Sequence, residues 1–356
     1  MNEHLKRIIQ VSISIALTIL IGYLIFRGVP DWAHAWRVMV QGRPGWLLGA
    51  LGFIMIHMLL RALRWGVLLK KVKAGISYKN LFSLTMIKYA INVVPPRSGE
   101  VVASVVLARK EGISSASVIA ASLLERVFDV VTVLVLFLFY FFAFGHVYAP
   151  NSETGHSIML SVQAYSFKGL LALGAIFLVL AFLLRRSRWK GFVPQKLHGF
   201  ILPFLEGFRV LENRSSVIYA SLLSAAIWLS ITLQIWCLIR AYLVEFPMAG
   251  SLLLMALTVV GVSIPTPAGV GGYQFFMNLT LTSFFAQYLS RQDPSSQAAG
   301  ISNGCYIVSM VPVVLAGLLF LNYEGLSLSR ISKIKAETKP GTGDATLFPK
   351  ATKPIQ

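Results

Sequence analysis

Charge is scarce in this chain, and acid is scarcer still: 13% of the 356 residues are charged, with 14 Asp and Glu against 32 Lys and Arg. A soluble domain carries about 25% charged residues, so the chain lacks the means to solvate a globular surface. Cysteine is nearly absent, and Cys237 and Cys305 both fall in apolar stretches. That excludes a disulfide framework and reads as two small core residues. There is no Asp-x-Asp and no His-Glu-x-x-His, so neither of these catalytic motifs points to an enzyme. His34, His57, His146, His156 and His198 are scattered without ligand spacing, so neither a metal nor another cofactor is expected. His57, inside an apolar run, reads as an interhelix hydrogen-bonding residue. The net charge of +18 does not point to nucleic acid, because the basic residues flank apolar spans and do not alternate with aromatics.

What the chain has in excess is hydrophobic sequence, 56% of all residues, with a mean hydropathy of +0.71. This predicts an all-α polytopic membrane protein. Apolar runs at residues 8 to 26, 46 to 64, 115 to 144, 166 to 184, 216 to 239 and 298 to 321 are each long enough to cross about 30 Å of hydrocarbon, which gives six transmembrane helices. The first follows Lys6 and Arg7 and resembles a signal sequence. It lacks a small-x-small cleavage site and is read as a retained helix. Arg61, Arg64, Lys70, Lys71, Lys73 and Lys79 follow the second span, and Arg185, Arg186, Arg188, Lys190 and Lys196 follow the fourth run. Lys333, Lys335 and Lys339 begin the tail. These predict cytoplasmic loops, whereas the stretch from His146 to Gln163, with no Lys or Arg, faces outward. Both termini are then cytoplasmic. Residues 1–323 form the membrane domain, and 324–356 a basic, disordered tail. Trp32, Trp36, Trp46 and Trp65 read as interfacial anchors, and residues 197 to 211 as a surface helix on anionic lipid.

Two segments are broken by proline inside membrane-grade sequence: Val94-Pro95-Pro96-Arg97-Ser98-Gly99-Glu100 and Ile264-Pro265-Thr266-Pro267-Ala268-Gly269-Val270. A broken helix frees backbone groups that hydrocarbon cannot satisfy, so it must lie in protein or beside a wet cavity. The charge assignment makes 79–108 and 251–285 re-entrant hairpins that enter from opposite faces. They belong to a first half of about 46–145 and a second of about 216–322, an inverted repeat with its site at the midplane. Lys88 and Asn92 share a face of the first descending half-helix, and Arg97 and Glu100 bracket its break. Glu125, Arg126 and Asp129 open the next span. The carboxylates of residues 125 and 129 share a helix face and require a cation, supplied by Arg126 or Arg97. Such an array either pins the hairpin to the bundle or holds substrate. Ser98 is positioned to cap the returning half-helix, with Gly99 allowing close approach. A helix N-terminus beside an arginine suits a phosphate oxygen. In the second hairpin, Gly269, Gly271 and Gln274 offer backbone donors or a helix-packing surface.

VPPRSGEVVASVVLARKEG, then ASLLERVFDVV and IPTPAGVGGYQFF, resemble the transmembrane flippase domain of the lysylphosphatidylglycerol synthase family. The resemblance covers nearly the whole chain. It implies an inner-membrane domain that moves a lipid or lipid-linked headgroup between leaflets. The family's P-x-R-x-G-E element falls on Pro95, Arg97, Gly99 and Glu100, and its E-R-x-x-D element on Glu125, Arg126 and Asp129. Its P-G-G-x-G-x-x-E element falls on Pro267, Ala268, Gly269, Gly271 and Gln274, with Ala in place of the first Gly and Gln in place of the acid. The soluble aminoacyl-transfer domain of the bifunctional members has no counterpart here, so lysyl transfer is not expected and a separate lipid-modifying enzyme becomes a candidate partner. Two other readings remain open: a membrane subunit of a transferase, and a proton-coupled solute transporter that uses the carboxylates as relays.

Overall fold

The computed structural model describes residues 19, 20, 22, 23, 26–92, 98–144, 157, 168, 204, 207–264 and 266–326. These build helices with no strand among them: α1 (Trp32–Val40), α2 (Pro44–Leu69), α3 (Tyr78–Ile91), α4 (Ser98–Glu111), α5 (Ser115–Phe144), α6 (Arg214–Arg240), α7 (Gly250–Ser263), α8 (Gly272–Phe284) and α9 (Pro294–Tyr323). Four of them, α2, α5, α6 and α9, are long and apolar enough to cross a membrane, so the chain is a multi-pass membrane protein. They coincide with four of the six expected spans. Of the span at residues 8 to 26, only the described positions from 19 onward are seen, and these are helical. The span at 166 to 184, the loop from His146 to Gln163 and the tail beyond Leu326 lie outside the described residues, except for isolated positions.

The order long, short, short, long occurs twice, as α2 to α5 and again as α6 to α9. Packing within and between the two quartets is reciprocal. α2 packs on α3 as α6 does on α7; α3 on α4 as α7 on α8; α4 on α5 as α8 on α9. The exchange between quartets matches too, since α3 lies on α9 while α7 lies on α5. The leading helices α2 and α6 meet each other and run antiparallel: the Arg43 amide donates to the Ala241 carbonyl at one end, and Arg64 reaches Ser224 toward the other. The quartets therefore run in opposite senses.

Each short pair is an antiparallel hairpin. In the first, Asn80 near the start of α3 bonds Glu111 at the end of α4 (2.7 Å). In the second, Gly250 at the start of α7 lies against the ring of Phe285, just past α8. The first hairpin's base sits where α2 and α9 end, held by Lys73–Glu111 (2.7 Å), Ser83–Glu324 (2.7 Å) and Lys110–Glu324. The second base sits where α6 ends and α2 begins, and is closed by the rings of Phe246, Phe285 and Tyr288. The bases thus occupy opposite ends of α2. A helix of 14 residues is about 21 Å long, short of the roughly 30 Å hydrocarbon layer.

Glycine lets the arms converge near the breaks. A Cβ on Gly99 would run into the Lys88 carbonyl, and one on Gly272 into the Gly261 carbonyl. The structural counterpart of Gly99 is therefore Gly272, three residues beyond the Gly269 that the proline pattern suggests. In the second hairpin the 3-10 segment Pro267–Gly269 lies between the first proline and the point where the arms touch. Gly99→Ala and Gly272→Ala are each expected to force the arms apart and lower the thermal midpoint in detergent by several degrees. Gly52→Ala, with nothing within 4 Å, leaves it unchanged or slightly raised. Equal behaviour of all three variants would refute the close-contact argument.

Two expectations about the edges need correction. Trp65 is no interfacial anchor: it is fully buried, with the Lys88 ammonium 5.3 Å from its ring centroid. The described part of the expected surface helix, from Gly207, turns inward, with Phe208 and Val210 buried against the core around α4 and α5. Trp32 and Trp36 on α1 are exposed as an anchor requires, while Trp46 packs edge-on against Trp236, with Arg240 over both rings. Cys237 and Cys305 are buried free thiols.

Candidate functional site

Hydrophobic flanks carry charged side chains into the bundle. α2 continues to Leu69, past the end expected at residue 64, because Trp65, Val67, Leu68 and Leu69 keep its apolar face going. Arg61 and Arg64, expected in the cytoplasmic cluster, are consequently buried. Arg64, with 1% of its side chain exposed, is the hub. Its Nη1 donates to Asp129 Oδ1 at 2.7 Å and to Ser224 Oγ at 2.8 Å, and its Nη2 lies 3.8 Å from Glu125 Oε1. The described cation between the two carboxylates of α5 is thus Arg64, whereas Arg126 approaches Asp129. The signal for Arg64 was present in the sequence: His57, Arg61 and Arg64 recur at four- and three-residue steps and so share a helix face.

Around this hub the remaining charges are paired. Lys88 donates to Glu125 Oε2 at 3.1 Å, which ties the tip of the first hairpin to α5. Arg61 lies 3.6 Å from Asp129 Oδ2, with its guanidinium near the rings of Tyr89 and Trp228. Trp228 Nε1 donates to Asp129 Oδ1 at 3.0 Å. Arg126 pairs with Glu100 and lies 3.8 Å from Asp129 Oδ2. Burying charge is costly unless every charge is paired and hydrogen-bonded. Glu125 and Asp129 meet that condition.

Four cations, Arg61, Arg64, Lys88 and Arg126, face three carboxylates, Glu100, Glu125 and Asp129, so the described cluster keeps one positive charge in excess. The exposures are unequal: 10%, 1% and 6% for the side chains of Arg61, Arg64 and Lys88, but 46% for Arg126. Arg126 lies 11 residues into a 30-residue helix, about 17 Å from its start. Among the described cations of the cluster, it is the one an outside group reaches.

The capping role expected of Ser98 belongs to Asn92, whose Oδ1 accepts the Gly99 amide at 2.8 Å; Ser98 Oγ turns back to the Ile91 carbonyl at 3.4 Å. Arg97 lies outside the described residues. In the second hairpin, Gln274 Oε1 accepts the Gly271 amide at 2.7 Å and closes the first turn of α8. The residue that stands in place of an acid is therefore a local cap. Gly269 and Gly271 adopt φ of 72° and 85°, open to glycine at little cost. Ala268 takes φ 53°, a conformation that costs a non-glycine residue about 1 kcal/mol or more. Tyr306 fixes it by donating to its carbonyl at 3.0 Å. His57 behaves as expected: Nε2 meets Gln234 Oε1 at 3.1 Å across the α2–α6 interface.

Residues 9–317 match the family model of the lysylphosphatidylglycerol synthase TM region. The chain belongs to this family. Neither a curated protein nor a solved structure matches the chain. The part assigned to the lysylphosphatidylglycerol synthase TM region begins before α1 and ends within α9, so the ionic cluster and both hairpins lie inside it. Of the two motif elements carried by the first quartet, the structure brings Glu100, Glu125, Arg126 and Asp129 together and adds Arg61 and Arg64 from α2, outside either motif. Gly269, Gly271 and Gln274 form no part of that ionic cluster.

Proposed function

We propose that the chain moves a phospholipid or lipid-linked headgroup between the leaflets of the cytoplasmic membrane, its phosphate seated on Arg126 beside the break of the first hairpin. The observation that carries this reading is the half-exposed guanidinium on a cluster with surplus positive charge. A phosphate oxygen can exchange with Glu100 on Arg126, while Arg64 and Lys88 hold the surrounding scaffold fixed. The N-terminus of α4 adds its dipole. Side exposure of Arg126 on a spanning helix favours lateral entry, with acyl chains left in the bilayer. Membership of the lysylphosphatidylglycerol synthase TM family supports a lipid-related role.

In this reading both hairpins are re-entrant and dip from opposite faces, as their bases at opposite ends of α2 suggest, and the quartets form an inverted-topology repeat that rocks around the cluster. Residues 1–323 act as one membrane domain with cytoplasmic termini and a basic tail over 324–356. Aminoacyl transfer is no part of this membrane domain's role, and any modified lipid comes from a catalytic part distinct from it. Reconstitution in vesicles with a panel of headgroup-labelled lipids tests the proposal. Transbilayer movement of anionic phospholipids is expected. Solute uptake driven by a pH gradient, with every lipid left in place, would overturn it in favour of a proton-coupled transporter.

A further inference from the structure

We infer that Pro312 makes α9 a hinge: the helix bends there, and its two halves travel with different hairpins. The inference rests on the rocking motion proposed above for its purpose, whereas the bend belongs to the helix and is measured without any cargo.

Proline has no amide to donate, so Pro312 deprives the Val308 carbonyl of its helical partner and sets a ring against the preceding turn. It is one of the few features at which long helices bend sharply. In α9 the same position is also a boundary in the packing. Before it, Ala298, Ile301 and Cys305 belong to the apolar core built around α6, α7 and α8. After it, Val313 packs with Ile54, Met58 and Met86 of α2 and α3, and Leu321 joins the core around α3, α4 and the first half of α5.

Polar and close backbone contacts tie each half to its own side. Upstream, Tyr306 donates to the Ala268 carbonyl at 3.0 Å, and Ser309 Oγ accepts from Gln234 Nε2 at 3.0 Å. A Cβ on Gly300 would run into the Ala35 carbonyl, so α1 is seated on this half as well. Downstream, a Cβ on Gly317 would run into the Met86 carbonyl, and Phe320 meets Phe82 edge-on at 5.6 Å. Glu324, just past the helix, accepts from Ser83 and Lys110. The first hairpin therefore grips one half of α9, and the second hairpin with α1 grips the other.

The contrast is α5, which holds the same place in the first quartet. It too passes from one core to the other: Ala121 and Leu124 lie with the first hairpin, Val133 and Phe137 with the second. Its 30 residues contain no proline, and its crossing point carries Glu125 and Asp129, both held by Arg64. Of the two helices that join the halves of the bundle, one is continuous and pinned and the other is interrupted. Motion of the first hairpin against the second then pivots on the ionic cluster and is absorbed at Pro312.

The test places spin labels on outward-facing positions of the full chain, with Cys237→Ala and Cys305→Ala as background. Ile307→Cys with Leu319→Cys straddles Pro312, and Leu123→Cys with Val135→Cys straddles the crossing point of α5; all four parent residues are exposed. Each pair spans 12 residues, about 18 Å along a straight helix. The α9 pair is expected to give a distance distribution about twice as broad as the α5 pair, as a bending helix requires. Pro312→Ala restores the missing amide, so the thermal midpoint holds or rises, the α9 distribution narrows to that of α5, and lipid movement in vesicles slows severalfold. An α9 pair as narrow as the α5 pair overturns the hinge without recourse to the variant. So does a breadth that survives Pro312→Ala, or a narrowed Pro312→Ala protein that moves lipid at the parental rate. A broad α9 distribution that narrows in Pro312→Ala, in a chain that moves no lipid, would keep the hinge and remove translocation.

Discussion

Arg64→Ala is expected to destabilise the protein by about 3 to 5 kcal/mol, the range for removing one partner of a buried ion pair. The loss is large because Arg64 serves two carboxylates from one side chain, at 2.7 Å to Asp129 and 3.8 Å to Glu125, and bonds Ser224 as well. Without it Asp129 keeps Arg61 at 3.6 Å and the Trp228 indole at 3.0 Å, and Glu125 keeps only Lys88 among these partners. The expected readout is loss of monodispersity in detergent together with a lowered thermal midpoint. Pairing Arg64→Met with Asp129→Asn should recover part of the loss, because it removes one charge of each sign and leaves less buried charge to compensate. An Arg64→Ala protein as stable as the parent would show that the cluster does not pin α2, α5 and the first hairpin together.

Arg126→Ala should do the opposite, sparing the fold and silencing the activity. Its side chain is 46% exposed, and in the hydrated headgroup path proposed above a pair this open to water contributes little to stability. A charge-assisted bond to phosphate is worth about 1.5 to 3 kcal/mol, so headgroup affinity and lipid movement should fall about 10- to 100-fold. Arg126→Lys restores the charge without the planar fork and should recover only part of it. Glu100→Gln, which neutralises the competitor for the same guanidinium, should tighten binding of anionic headgroups. If Arg126→Ala protein is monodisperse and moves lipid at the parental rate, the phosphate seat lies elsewhere.

Hydropathy made the long helices legible, because runs such as 115 to 144 have no soluble alternative. The prolines at 95, 96, 265 and 267 made the breaks legible, since no continuous helix absorbs them. The wiring of the site was harder to read. Arg61 and Arg64 stood at the edge of an apolar window and were counted with the loop lysines, although the apolar face resumes beyond them as far as Leu69. Their partners lie on a helix far along the chain, and nothing local states which guanidinium Asp129 will meet. The register between the two hairpins was set by backbone approach, Gly99 against Lys88 and Gly272 against Gly261. A pattern of prolines and small residues reports where a chain bends, but not where two arms touch. The capping role given to Ser98 failed for a related reason: which side chain caps a half-helix depends on the shape of the turn before it, and Asn92, at the end of α3, reached the Gly99 amide instead.

The Arg64–Asp129 bond also has a consequence for biosynthesis. The two residues are separated by 65 positions, so the ribosome releases α2, guanidiniums included, well before the carboxylates that neutralise them. An unpaired arginine costs up to about 2.5 to 3.5 kcal/mol at the centre of a span on the translocon scale, and α2 carries two in its last nine residues. The first long helix of the quartet is therefore a poor independent passenger: it settles in the bilayer only when α5 follows, so the quartet from Pro44 to Phe144 inserts as one cooperative unit.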